Sequence, residues 1–147
     1  MKKKLIMPEL YTATHWMNRK VARESLIGAP TLIHFWSVSC PKCKQALPVI
    51  QSIRDQYSDQ LHVVAIHMPL SNDDLNVQKV ARAAEYYAIT EPILIDNTHR
   101  LADSFGTRFV PAYFLFDPYG HLLEYHMGER GALRIEKAVN RLFFQNH

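Results

Sequence analysis

Cysteine is scarce in this chain, with two in 147 residues. That excludes a disulfide framework. At this length a core can bury roughly two-thirds of the unfolded surface without a staple. Long apolar runs are also missing. None approaches the roughly 18 residues that suggest a membrane span, so no membrane partner is expected. The run Lys2–Lys4 stands where an export signal would begin, yet Leu5, Ile6 and Met7 are followed at once by Pro8 and Glu9. A signal core needs about 7–15 apolar residues. The expected location is therefore the cytoplasm, where thiols are kept reduced and a structural disulfide is disfavoured. Charge of one sign is not concentrated either. Seventeen Lys and Arg against fourteen Asp and Glu give a net +3 from scattered positions, short of the patch that nucleic acid or an anionic membrane requires. No repeat, low-complexity tract or Pro/Gly/Ser linker divides the chain, and a single domain over residues 1–147 is expected.

What is present alternates between strand and helix. The apolar, β-rich run 31–36 (TLIHFW) reads as a buried strand, and 41–57 places Ala46, Ile50, Ile53 and Tyr57 on one helical face. Residues 61–68 read as a second central strand. Asp73 and Asp74 are positioned to start a helix whose Val77, Val80, Ala81 and Ala84 point inward, and the stretch Ser71–Asp74 reads as its cap. A short strand over 93–95, a helix over 99–105 stopped by Gly106, and a hairpin of 112–116 and 122–127 about the turn 117–120 follow. Ile135, Ala138, Val139 and Leu142 recur at helical spacing near the end. This order predicts the α/β class, a central mixed sheet with helices on both faces.

Both cysteines lie in "FWSVSCPKCKQALP". Cys40 ends a buried strand, and Pro41 suits the first helical position, where its fixed φ and missing N–H do no harm. Cys40 then caps the helix, and Cys43 lies one turn on, roughly 5–6 Å away by Cα geometry, within reach of a disulfide. Unpaired N–H groups at a helix start favour an anion by up to ~2 kcal/mol, enough to lower a thiol pKa by about 1.5 units. Lys42 acts in the same direction, weakened by solvent and salt. Cys40 is the expected attacking thiolate and Cys43 the resolving thiol. A purely structural bond closing so short a loop would contribute only roughly 2 kcal/mol. A zinc or copper site is half supplied by C-x-x-C, but no second C-x-x-C or H-x3-5-H follows; His34 and His67 are the remaining candidate ligands.

These residues, with Pro48 and the later "FVPAYFLFDPYG", resemble the thioredoxin fold. The leader "MPELYTATHWMN", an αβ insertion over roughly 69–101 and "EPILID" resemble the TlpA/ResA type of thiol–disulfide oxidoreductase, and a bacterial member without an export signal. The resemblance implies a thioredoxin-like domain with an N-terminal extension. It also implies that Trp36 packs beside the dithiol and shapes the substrate surface. Pro111 is implied to be cis, opposite the cysteines, with Val110 pairing its backbone to an extended substrate. Pro48 is implied to bend the active-site helix. Two departures stand out. His34 occupies the place of the thioredoxin aspartate six residues before the first cysteine, and Ala46 that of a glutamate three after the second. His34 is thus a candidate acceptor for the Cys43 proton, against the plainer reading of a buried structural histidine. Ser39 replaces a second tryptophan.

The function expected is thiol–disulfide exchange through Cys40-Pro41-Lys42-Cys43, without a cofactor. It would reduce protein disulfides, with electrons from a thioredoxin-reductase-like system or a small thiol, and act as a monomer. A thiol peroxidase using Cys40 and Ser37 is a second class, weakened by Ile33 where the peroxidase signature has proline; a soft-metal binding module is a third. His15, His62, His99, His121, His126 and His147 show no metal-ligand spacing.

Overall fold

The computed structural model describes residues 5–144. The Lys2–Lys4 run and His147 lie outside the described residues. In chain order the elements are β1 (His15–Met17), α1 (Arg23–Leu26), β2 (Thr31–Trp36), α2 (Pro41–Gln56), β3 (His62–His67), a 3-10 turn (Asn72–Leu75), α3 (Val77–Tyr86), β4 (Ile93–Ile95), α4 (Arg100–Phe105), β5 (Ala112–Phe116), β6 (Leu122–Met127) and α5 (Gly131–Phe144). One sheet runs β1-β4-β3-β2-β5-β6. The pairs β2/β3 and β3/β4 are parallel, while β1/β4, β2/β5 and β5/β6 are antiparallel.

The central strand β2 is buried at every position, which explains its nearly unbroken apolar sequence. A strand covered on both faces has no solvent side to make polar. Its odd residues, Ile33 and Phe35, face a cluster with Val64, Leu94, Phe114, Leu101 and Phe105. Leu32 faces the other way, among Ile50, Ile53, Leu115, Ile135 and Val139 of a second cluster. Each of these side chains contributes roughly 1.5–3 kcal/mol by leaving water. The two faces are therefore covered by different helices, α4 on one and α2 with α5 on the other.

Ends of elements follow local chemistry. Gly106 stops α4 in a left-handed conformation with φ 71°, which costs glycine little. The unpaired N–H groups of α4 at Leu101 and Ala102 donate to the two carboxylate oxygens of Asp96, each at 2.9 Å. Gly131 opens α5 where a Cβ would stand 3.0 Å from the Tyr113 ring, so the helix can lie directly on β5.

Two expectations need correction. Asp73 and Asp74 do not begin α3: they sit in the 3-10 turn, and Asn76 caps the helix by accepting from the Gln78 and Lys79 N–H groups. Ser71 makes no side-chain cap, and Asp74 is fully buried, so Ser71–Asp74 is not a capping stretch. The leader contains a strand that no periodicity announced, β1, with Met7 and Leu10 buried under the sheet, and α1 follows it unannounced. Within 69–101, β4 lies between β1 and β3 as a full member of the sheet.

Candidate active site

The site is made where β2 hands over to α2. Cys40 has extended backbone angles and is the helix cap; its Sγ accepts the Cys43 N–H at 3.1 Å, and Pro41 occupies the first turn. Cys40 and Cys43 are joined as a disulfide with Cα atoms 5.3 Å apart. Their exposures differ in the useful sense, 7% for Cys40 against 1% for Cys43. Cys40 is the more accessible of the two to a second molecule. α2 continues through Pro48 to Gln56, and Ala46, at the position of the missing carboxylate, is buried in the core.

Across from the dithiol, the Val110–Pro111 peptide is cis, and the Val110 carbonyl oxygen lies 4.0 Å from Cys40 Sγ. Pro111 is buried and Val110 partly exposed, while Phe109 beside it is 61% exposed. Lys42 is largely in solvent and stands 3.9 Å from Glu129, a pairing that solvent reduces to little. Trp36 corrects the expectation drawn for it. It packs in one cluster with Cys40, Cys43 and Leu47, but at 1% exposure it offers no surface to a substrate. Its ring meets the His67 ring edge to face at 5.0 Å.

Buried ionisable groups underlie this region, and most were not legible as site residues. His34 Nε2 lies 2.6 Å from Glu91 Oε2, and Arg54 Nη1 donates to Glu91 Oε1 at 2.8 Å. Burial pushes the Glu91 carboxyl up, but the His34 and Arg54 contacts outweigh it and hold it down at about 2. Asp74 carries the second centre. One of its oxygens accepts from Ser39 at 2.6 Å, from the Leu70 N–H at 2.9 Å and from Ser37 at 3.0 Å. Burial alone would raise its pKa, yet these donors and the nearby His67 bring it below the ordinary carboxylate value. The Asp74 carboxylate thus secures the 37–39 turn that presents Cys40. His67 completes it: Nε2 accepts the Val38 N–H at 3.1 Å, and burial, opposed by Asp74, lowers its pKa to about 4. The imidazole is neutral at physiological pH.

Arrangements for the alternative chemistries are less complete. Ser37 spends its hydroxyl on Asp74, and His34 and His67 are engaged as described. Among the described residues no group of three or more His, Cys, Asp or Glu side chains is placed to hold a metal ion. His15 meets the Thr14 hydroxyl, His99 the Pro69 carbonyl, His121 Asp117 and His126 Glu124. Burial, then the Arg19 charge, lowers the pKa of half-buried His62.

A sequence model of the AhpC/TSA family matches residues 7–125. The chain belongs to the AhpC/TSA family. The thiol-disulfide oxidoreductase YkuV of Bacillus subtilis is 49% identical to it over 143 residues, 97% of each chain. The thiol-disulfide oxidoreductase ResA of Halalkalibacterium halodurans is 27% identical over 104 residues, 70% of this chain and 56% of that one. Among solved structures, a thioredoxin-like protein in its oxidized form, determined in solution, superposes with a TM-score of 0.91 at 47% identity over the whole of both chains. The fold is thioredoxin-like, and this family member is a thiol–disulfide oxidoreductase. The TlpA/ResA resemblance read from the motifs agrees with these relatives, YkuV and ResA among them.

Proposed function

We propose that the protein reduces disulfides of other proteins in the cytoplasm, working as a monomer with Cys40 as nucleophile and Cys43 as resolving thiol. The observation that carries this reading is the placement of Cys40 Sγ on the Cys43 N–H at a helix start, with Cys43 itself buried. The Cys40 thiolate attacks one sulfur of the substrate disulfide, forming a mixed disulfide and releasing the first substrate thiolate. Cys43 loses its proton and attacks Cys40 Sγ. The second substrate thiolate leaves and is protonated, two electrons have passed to the substrate, and the protein holds the Cys40–Cys43 bond. A thioredoxin-reductase-like donor or a small thiol restores the dithiol.

Supporting roles follow from placement. Val110, whose carbonyl oxygen lies 4.0 Å from Cys40 Sγ, and Pro111 after it hold an extended substrate segment against the nucleophile. Pro41 sets the helix start, and Lys42 adds a screened positive charge. His34 serves as proton acceptor for Cys43. It lies on β2, under the helix that carries Cys43, and its Nε2 faces an ionised Glu91.

Trapping tests the reading. Cys43→Ser incubated with a disulfide-bonded protein accumulates a mixed disulfide through Cys40, visible as a reducible adduct, whereas Cys40→Ser forms none. Adduct on neither variant, or on both equally, would contradict it.

A further inference from the structure

The cations that look scattered along the sequence are gathered by α5. Every exposed position from 130 to 141 is basic or apolar: Arg130, Leu133, Arg134, Lys137 and Arg141. The inward positions are Ala132, Ile135, Ala138 and Val139. The cations fall at spacings of four, three and four, so neighbours share one face and repel. Only Arg141 is neutralised, by Glu124 at 2.8 Å. Among the described residues Arg130, Arg134 and Lys137 form no ion pair, and with Leu133 they line a shallow groove of about 400 Å³. Glu136 lies half-buried on the flank of the helix.

We propose that this face docks an acidic segment of the protein whose disulfide is exchanged. The proposal rests on the thiol–disulfide reading above and gives its substrate a charge. Location decides for a disulfide-bearing protein over other polyanions. The stripe starts at Arg130, next to Glu129, and Glu129 stands 3.9 Å from Lys42, the residue between the two cysteines. A polypeptide held at Cys40 and running along α5 meets a row of unpaired cations, Arg130 to Lys137, about 10 Å long at 1.5 Å per residue. Leu133, 55% exposed in the middle of that row, gives it one apolar contact. Unanswered like charges beside a reactive centre raise the local concentration of an oppositely charged partner.

Two synthetic peptides sharing one disulfide loop, flanked by a glutamate run or by a lysine run, provide the test. At low salt the wild type reduces the acidic peptide about tenfold faster than the basic one, through kcat/KM, and the preference fades as salt rises. Arg134→Glu/Lys137→Glu reverses the preference and leaves reduction of a small neutral disulfide unchanged. Equal rates on both peptides, a salt-independent preference, or equal loss on both peptides in the variant would overturn the proposal. So would a stripe that binds duplex DNA or anionic phosphatidylserine vesicles while the peptide preference survives its reversal. Failure of the wild type to reduce any of the three disulfides would instead sink the thiol–disulfide reading itself.

Discussion

Replacing Glu91 by glutamine removes one charge from a buried three-member cluster and leaves its shape nearly intact. In the wild type the carboxylate is 4% exposed, bridging His34 at 2.6 Å and Arg54 at 2.8 Å. Its pKa falls from an ordinary 4.5 to about 2, which at 1.36 kcal/mol per pKa unit corresponds to about 3 kcal/mol of folding stability. Breaking one partner of a buried pair commonly costs a similar 3–5 kcal/mol, because the other charge is left uncompensated. The sign is fixed by the direction of the shift. The folded-state pKa lies below the unfolded value, so the unfolded chain takes up the proton first. The stabilisation is complete above about pH 4.5 and is lost as pH falls toward 2. Urea unfolding of the oxidised wild type and of Glu91→Gln, repeated across pH, measures the difference directly. It is expected near 3 kcal/mol at pH 7 and close to zero at pH 2. A difference below about 1 kcal/mol at pH 7, or one that does not change with pH, would refute the reasoning.

His34→Asn is expected to slow the resolving step and flatten its pH dependence while sparing the first attack by Cys40, as followed by stopped-flow mixed-disulfide kinetics; an unchanged rate and pH profile removes His34 from the mechanism. His67, with a pKa lowered to about 4 from 6.5, makes stability fall by about 1.4 kcal/mol per pH unit as pH drops from 6.5 to 4. His67→Gln, which retains an acceptor for the Val38 N–H, should lose that slope in the same unfolding series. Asp74→Ala leaves three donors on one buried site without an acceptor and should destabilise by about 3 kcal/mol in urea, at 1–3 kcal/mol for each unsatisfied group. Gly131→Ala brings a methyl to 3.0 Å from the Tyr113 ring and should lower stability by about 1–3 kcal/mol; thermal unfolding at wild-type midpoint would contradict the packing described for α5.

Where the sequence was legible, the local physics was unopposed. β2 follows its apolar run, α4 its Gly106 stop, and the hairpin of β5 and β6 its turn residues, because each signal is contained within its own segment. The dithiol was legible for the same reason: strand end, cap, proline and second thiol all lie within a few residues. Long-range pairing was not. Glu91 belongs to the site through a partner 57 positions away in sequence, and nothing near "EPILID" marks its acid as buried. Asp74 resembled an exposed cap beside Asp73, and only the folded chain brings Ser37 and Ser39 to it. β1 and α1, three and four residues long, are too short for a period to show and are held by tertiary contacts. The basic face of α5 was hidden because its cations are separated by buried apolar residues in sequence.

Exchange through this dithiol depends most on the ionisation of Cys40, and alkylation of the reduced protein across pH measures it. With iodoacetamide and mass-resolved identification of the modified cysteine, Cys40 should titrate below the ordinary thiol value near 8.5 and react well before Cys43. A Cys40 that titrates at 8.5 or above, or that reacts no faster than Cys43, contradicts it.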